Sequence, residues 1–212
     1  MKVSFVRRFW VTISSAVVRF YASILNRFEV VGAENIPAGG GVLLAANHIS
    51  AYDTVFIPAA VVKKYPWQMV WAPAKEELFR NPLIGAIYRS WGAFPVKRGR
   101  DVRAGRHLGS LLQSQKVMLF PEGTRHKDGK LGPGNRGVGK LIYEHHPVVI
   151  PTALSGVNHW KVAKIKQQGV IRFGAPLDFS DLFELEDIKA THLLIVERVM
   201  AAIASELEFS ES

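Results

Sequence analysis

The chain reads as an α/β domain: a largely parallel central sheet flanked by helices, with an amphipathic helix at the N-terminus. Three observations predict this. Apolar runs of strand length alternate with longer runs of helical period. The composition, 48% hydrophobic and 21% charged over 212 residues, supports a packed core in one domain. Polar, chemistry-bearing clusters follow directly after the apolar runs, where ligands gather in a parallel sheet.

At the N-terminus Val6, Phe9, Trp10, Ile13, Val17, Phe20, Tyr21, Ile24 and Phe28 recur by ones, threes and fours. Arg8, Thr12, Ser15, Arg19, Ser23 and Asn26 take the other face. This pattern predicts an amphipathic helix over residues 1–28, ahead of a domain at 29–212 that ends in an acidic helix. A membrane-spanning helix needs about 20 mainly apolar residues. Arg19 stands mid-segment, where insertion costs about 2.5–3.5 kcal/mol. The segment therefore suits a helix lying in the headgroup plane, with packing on the domain as the alternative. Arg19 and the lack of a small-residue cleavage site argue against a signal peptide.

Further along, 41–46 reads as a buried strand and 51–63 as a helix. A second apolar run occupies 67–71, with helical stretches at 75–79 and 83–90. A strand is expected at 93–97, a helix at 101–115, and a strand at 117–120 that breaks into a loop. Residues 137–145 look helical, 148–153 and 170–173 strand-like, and 188–207 form a closing helix. No repeat or low-complexity linker interrupts this order.

Charge is distributed unevenly. Residues 1–176 carry 25 Lys and Arg against 9 Asp and Glu, whereas 177–212 carry 2 against 9. A basic body implies an anionic partner, either nucleic acid or a phospholipid surface. No helix-turn-helix, zinc-finger or RNA-binding aromatic signature appears, so nucleic acid is not expected. With no cysteine, disulfides, thiolate metal sites and a cysteine nucleophile are excluded. Adjacent His145 and His146 point apart on a helix, and no metal site is expected.

Three segments at strand ends carry the chemistry. In Asn47-His48-Ile49-Ser50-Ala51-Tyr52-Asp53 a strand end projects an imidazole, and Ser50 can cap the next helix with Asp53 in its first turn. Asp53 can then orient His48 as a general base, or serve only as the acid of a capping box. Gly92-Ala93-Phe94-Pro95-Val96-Lys97-Arg98 places two cations at a strand end, suited to clamp a phosphate. Phe120-Pro121-Glu122-Gly123-Thr124-Arg125 breaks a strand into a turn bearing an acid, a hydroxyl and a cation. Read singly, each charge could be solvated, and Glu122 with Arg125 a weak local ion pair.

Taken in order, and followed by an apolar strand into Ile150-Pro151, these segments resemble the motif set of the 1-acylglycerol-3-phosphate acyltransferases over residues 30–173. The resemblance implies that 29–212 is the acyltransferase domain and that His48 is the general base oriented by Asp53. The sn-2 hydroxyl of lysophosphatidic acid would attack an acyl-CoA or acyl-carrier-protein thioester directly, yielding phosphatidic acid without a cofactor. The absence of cysteine and of a Gly-x-Ser-x-Gly elbow is compatible with that route. Arg98 and Arg125, helped by Lys97, would hold the acceptor phosphate. Glu122 and Thr124 would shape the loop, the Gly123 amide could bind an oxygen, and Phe94 and Pro151 would wall the site. The expected setting is the cytoplasmic face of the cell membrane, on anionic phospholipid, with Trp67, Trp71 and Trp91 near the lipid or in the core. Two departures lie beside the acceptor pocket: His126 where relatives often carry Ser, and Asn135-Arg136-Gly137 where a Phe-Lys-x-Gly-like segment is usual. They leave open another acceptor, such as a different lysophospholipid, glycerol 3-phosphate or an ornithine-type lipid. A catalytically dead lipid binder of the same fold is a further alternative.

Overall fold

The computed structural model describes residues 3–97 and 101–209. Helix α1 (Phe5–Arg19) opens where the Ser4 hydroxyl accepts the Arg7 amide, and it widens into a π-helical turn at Phe20–Leu25. Asn26 ends it, its buried amide donating to the Tyr21 carbonyl at 2.9 Å and its oxygen accepting the Gln167 amide at 3.0 Å. The chain then enters β1 (Arg27–Val31). This strand overlaps the end of the helix expected over 1–28. Its five residues alternate too briefly, with Arg27 and Glu29 exposed, to announce a strand locally; pairing with a distant partner makes it one.

Strand β2 (Val42–Ala46) is buried at every residue, and α2 (Asp53–Lys64) follows it. The apolar run expected at 67–71 shifts to β3 (Val70–Lys75), because Trp67 takes a positive φ of 73° in the preceding turn. A short 3₁₀ turn at Glu76–Phe79 leads to α3 (Pro82–Ser90). Asn81 caps α3 by accepting the Leu83 and Ile84 amides, and Pro82 fits its first position. Next come β4 (Ala93–Val96), α4 (Val102–Leu111), β5 (Lys116–Leu119) and α5 (Arg136–His145). Strands β6 (Val148–Ser155) and β7 (Gln168–Phe173), short α6 (Ser180–Phe183) and long α7 (Lys189–Glu208) complete the order.

Among the described residues seven strands form a sheet in the order β1-β7-β6-β2-β5-β3-β4. Every neighbouring pair is parallel except β6 with β7, so β1 and β7 run against the other five. Strand β2 alternates between two cores. Leu43 and Ala45 join Leu141, Ile142, Ile195 and Val199 beneath α5 and α7. Leu44 and Ala46 join Phe28, Ile57 and Val61 beneath α2.

The sheet splits where it matters. Strand β3 pairs with β5 only at Val70 and Trp71, then continues with β4 as far as Lys75. The β3–β4 pair thus diverges from β5 and opens a crevice at the carboxyl ends of the strands, the usual ligand position in such sheets.

Helix α1 does not bury its apolar stripe. It packs toward the domain through Val11, Ser15 and, in the π-helical turn, Ala22. Phe5, Val6, Phe9, Trp10, Ile13, Val17, Phe20 and Ile24 remain between 48% and 75% exposed. No helix among the described residues is long and apolar enough to cross a membrane.

Helices α5 and α7 meet backbone to backbone at Gly139, where an added Cβ would stand 1.9 Å from the His192 carbonyl oxygen. Gly139→Ala must push the two helices apart. It is expected to lower stability by about 1–3 kcal/mol in urea unfolding, in the range of overpacking penalties.

Candidate active site

Asn47 fixes the end of β2. It is fully buried; its amide donates to the Leu154 carbonyl at 2.9 Å and its oxygen accepts the Leu154 amide at 2.8 Å. These bonds tie the end of β2 to β6 and set the height at which His48 leaves the sheet. The His48 side chain is 14% exposed, and its Nδ1 lies 2.9 Å from Asp53 Oδ2.

Asp53, fully buried at the start of α2, receives more than the imidazole. The same Oδ2 accepts the Ile49 and Ser50 amides, each at 2.7 Å. The carboxylate therefore both gathers backbone donors and orients the histidine, and the positive end of the helix dipole favours its charge. Ser50 does not cap α2 as expected. Its hydroxyl takes the Tyr52 amide at 3.3 Å, and the helix starts behind Tyr52 with no side-chain cap. With Oδ2 an acceptor, the geometry assigns the proton to Nδ1 and the lone pair to Nε2. Phe120 stacks on the imidazole at 3.9 Å between centroids and 13° between planes, fixing the ring from one side.

The loop after β5 is stitched to the loop after β2. The Glu122 side chain is fully buried; its Oε1 accepts the His48 amide at 2.9 Å and its Oε2 the Gly132 amide at 3.1 Å. His126 lies with Nε2 3.3 Å from that Oε2 and donates its backbone N–H to the His48 carbonyl at 2.7 Å. Glu122 is thus bonded to the His48 and Gly132 amides, which ties the two loops together and shapes the turn. The Gly123 amide is also occupied: it donates to the Phe120 carbonyl at 3.0 Å, closing a turn in which Gly123 takes φ +67°. Thr124 and Arg125 are exposed beyond it. Asn135 donates its amide to the Pro121 carbonyl at 2.8 Å, so the start of α5 anchors the far side of the loop.

Phe94 and Lys97 lie away from this network, on β4. Their strand, β4, is the sheet edge, three places from β2, or about 14 Å at the usual strand spacing. Phe94 meets the His107 ring edge-on at 4.7 Å, and both line a surface cleft with Lys97, Asp101 and Arg103. Asp101 holds the turn below it, accepting the Arg103, Ala104 and Lys97 amides; chiefly the Ala104 amide, then that of Lys97, keeps its carboxyl below the ordinary range. Arg98 lies outside the described residues. Pro151 is buried in β6 opposite Ala45, and a Cβ on Gly174 would stand 2.9 Å from its ring. It supports the strand from within the core.

With this arrangement in place, comparison with known proteins is informative. Residues 27–155 match the Acyltransferase family. The chain belongs to that family. It is 27% identical over 182 residues to the 1-acyl-sn-glycerol-3-phosphate acyltransferase of Bacillus subtilis, covering 84% of this chain and 88% of the relative. It is 27% identical over 176 residues to a chloroplastic 1-acyl-sn-glycerol-3-phosphate acyltransferase of Brassica napus, covering 80% of this chain but 46% of that protein. The chain thus spans less than half of the longer plant relative. The crystal structure of the 1-acyl-sn-glycerophosphate acyltransferase from Thermotoga maritima superposes with a TM-score of 0.66 at 22% identity, over 93% of this chain and 81% of that one. It shares the acyltransferase fold: the mostly parallel sheet, its flanking helices and the helix before it.

Sequence reasoning named Asn47, Phe120 and His126 within or beside the motifs but gave none of them a partner. Their positions were legible, whereas Leu154, the imidazole face and Glu122 are reached only through the fold. The buried network makes a distinguishing prediction. In Glu122→Gln, rotation of the amide cannot match both the His48 and Gly132 donors. Stability should fall by about 1–3 kcal/mol in thermal unfolding. A Glu122 that held substrate would instead leave stability unchanged.

Proposed function

We propose that this protein acylates the sn-2 hydroxyl of 1-acylglycerol 3-phosphate to form phosphatidic acid, with His48 as general base and Asp53 as its orienting partner. The observation that carries this reading is the His48–Asp53 pair, 2.9 Å apart, just beyond the carboxyl end of β2, where ligands gather in such sheets. The relatives from Bacillus subtilis and Brassica napus support the acceptor, since both are 1-acyl-sn-glycerol-3-phosphate acyltransferases.

The chemistry follows from the atoms present. The acceptor hydroxyl donates its proton to Nε2 as its oxygen bonds to the thioester carbon. Charge forming on the imidazole is stabilised by the buried Asp53 carboxylate. The tetrahedral intermediate then collapses, the C–S bond breaks, and the imidazolium returns the proton to the departing thiolate. No acyl-enzyme is required. Arg125, on the exposed loop beside β2, takes the acceptor phosphate. Lys97, exposed at the end of β4, contributes positive charge for a phosphate, and Arg98 keeps the phosphate-holding role that its motif implies. An apolar cavity of about 250 Å³ between the 16–24 segment and α2, lined by Phe28, Phe56 and Ala60, has the character an acyl chain needs.

The acceptor resides in a bilayer, which fits an enzyme held at the cytoplasmic face of the cell membrane by α1. The outward apolar stripe of that helix, with Arg8 exposed beside it, is suited to lie in an anionic headgroup layer. A different lysophospholipid, glycerol 3-phosphate or an ornithine-type lipid is the alternative acceptor, and His126, within the loop network beside Arg125, stands where acceptors would be told apart. A panel of lysophospholipids, glycerol 3-phosphate and an ornithine-type lipid separates them.

The deciding experiment measures thiol release from acyl-CoA, and from acyl-carrier protein, with and without lysophosphatidic acid. Wild type should release thiol only with the acceptor, and His48→Ala should lose at least about 10³-fold in kcat, as expected when a general base is removed. Near-wild-type turnover by His48→Ala would sink the assignment. For Arg125→Ala the expected change is a rise of about tenfold or more in the acceptor KM, from loss of a charge-assisted phosphate contact. An unchanged KM would remove Arg125 from the phosphate site.

A further inference from the structure

The outward apolar surface does not stop at α1. Helix α3 presents Leu83, Ile84 and Ile87 to solvent at 77%, 48% and 57% exposure, and Leu78 in the preceding turn is 43% exposed. A nine-residue helix carrying that much exposed aliphatic surface is unusual unless something covers it.

Two observations connect α3 to α1. The crossovers β2–α2–β3 and β3–α3–β4 step the same way across the sheet, so their common right-handedness puts α2 and α3 on one face. Helix α1 packs over α2, and its first turns reach the end of α3 through Arg7 and Trp10. Trp10 Nε1 donates to the Ser90 hydroxyl at 2.9 Å, and Arg7 donates to the Ser90 carbonyl at 3.0 Å and to that of Arg89. Ser90 lies one turn beyond Ile87, whose carbonyl accepts its hydroxyl at 2.7 Å. Trp10 therefore bridges the aromatic stripe of α1, where Phe5 and Phe9 stack with Trp67, to the aliphatic face of α3.

The charges around this joined surface are cationic. Neither α1 nor α3 contains an acidic residue, while Arg8, Arg80 and Arg89 are exposed on or beside them. Glu76 and Glu77 lie in the turn before α3, on the far side of Arg80 from it. Exposed Leu and Ile, tryptophan at the border and flanking arginines together match the layered chemistry of a bilayer surface.

We propose that α3 is a second membrane contact, inserting Leu83, Ile84 and Ile87 into the same anionic phospholipid surface that receives α1. The inference rests on the membrane-facing reading of α1 and extends it. One helix allows the protein to roll about its axis. Two joined helices define a plane and hold the strand-end crevice at one angle to the lipid.

Because the chain contains no cysteine, one introduced cysteine reports from one place. The full-length protein carrying Leu83→Cys, labelled with an environment-sensitive fluorophore, is mixed with phosphatidylglycerol-containing vesicles and with pure phosphatidylcholine vesicles. A blue shift and quenching by brominated lipid, stronger on the anionic vesicles, is the expected result. In flotation, Leu83→Ser/Ile87→Ser should bind anionic vesicles about 10–100-fold more weakly, while thiol release on detergent-dispersed substrate stays at the wild-type level. A probe at position 83 that stays in water, while Phe9→Ser/Ile13→Ser loses vesicle binding, would overturn the role of α3 and leave that of α1 standing. Wild type that binds no vesicles would remove both. A double α3 variant that binds vesicles normally but changes from dimer to monomer would assign the face to a second copy instead.

Discussion

One carboxylate oxygen organises the centre of this molecule. Asp53 Oδ2 accepts the His48 imidazole and the amides of Ile49 and Ser50, all within 2.9 Å. An ionised side chain with no exposure would be costly to bury if unpaired; three donors and a helix N-terminus make it tolerable. In return the segment between β2 and α2 has one shape, and the imidazole has one tautomer. One oxygen thus serves both ends, because the carboxylate that fixes the loop before the helix also orients the His48 ring.

A second buried carboxylate repeats the logic from the neighbouring strand. Glu122 holds the amides of His48 and Gly132 and lies beside His126, so the loop that presents Arg125 is built on the backbone of His48. Displacing either loop disturbs the other. Asn47, clamped to Leu154, keeps both from sliding along the sheet. The His48–Asp53 pair thus stands at a strand end fixed by buried bonds, while Lys97 and Arg125 are exposed. That division suits chemistry needing a fixed base and a ligand arriving from a lipid phase.

The face of the sheet that carries α1, α2 and α3 shows a different economy. Val11 and Ser15 are the α1 residues buried against the domain, while its large aromatic and aliphatic residues stay about half or more exposed even where Phe5, Phe9 and Trp10 touch Trp67 and Ser90. A helix can use its bulky side for an external partner only if its opposite side lets the backbone come close. Val11, Ser15 and Ala22 allow that approach here.

Much of this protein was determined by its sequence alone. The period of the apolar runs set most elements to within a few residues, and the ordered motifs placed His48, Asp53 and the 120–125 turn at strand ends. What the chain does locally follows from local chemistry. β1 was not legible, because a five-residue strand with charged exposed positions exists only through its partner β7. Nor was the crevice, which arises where β3 abandons β5 for β4. The fates of Glu122 and the Gly123 amide were also tertiary: whether a polar group faces substrate or protein depends on what surrounds it. The direction of the α1 stripe was undecided for the same reason. Periodicity shows that a helix has an apolar side, but only packing decides whether that side faces the core or the surroundings.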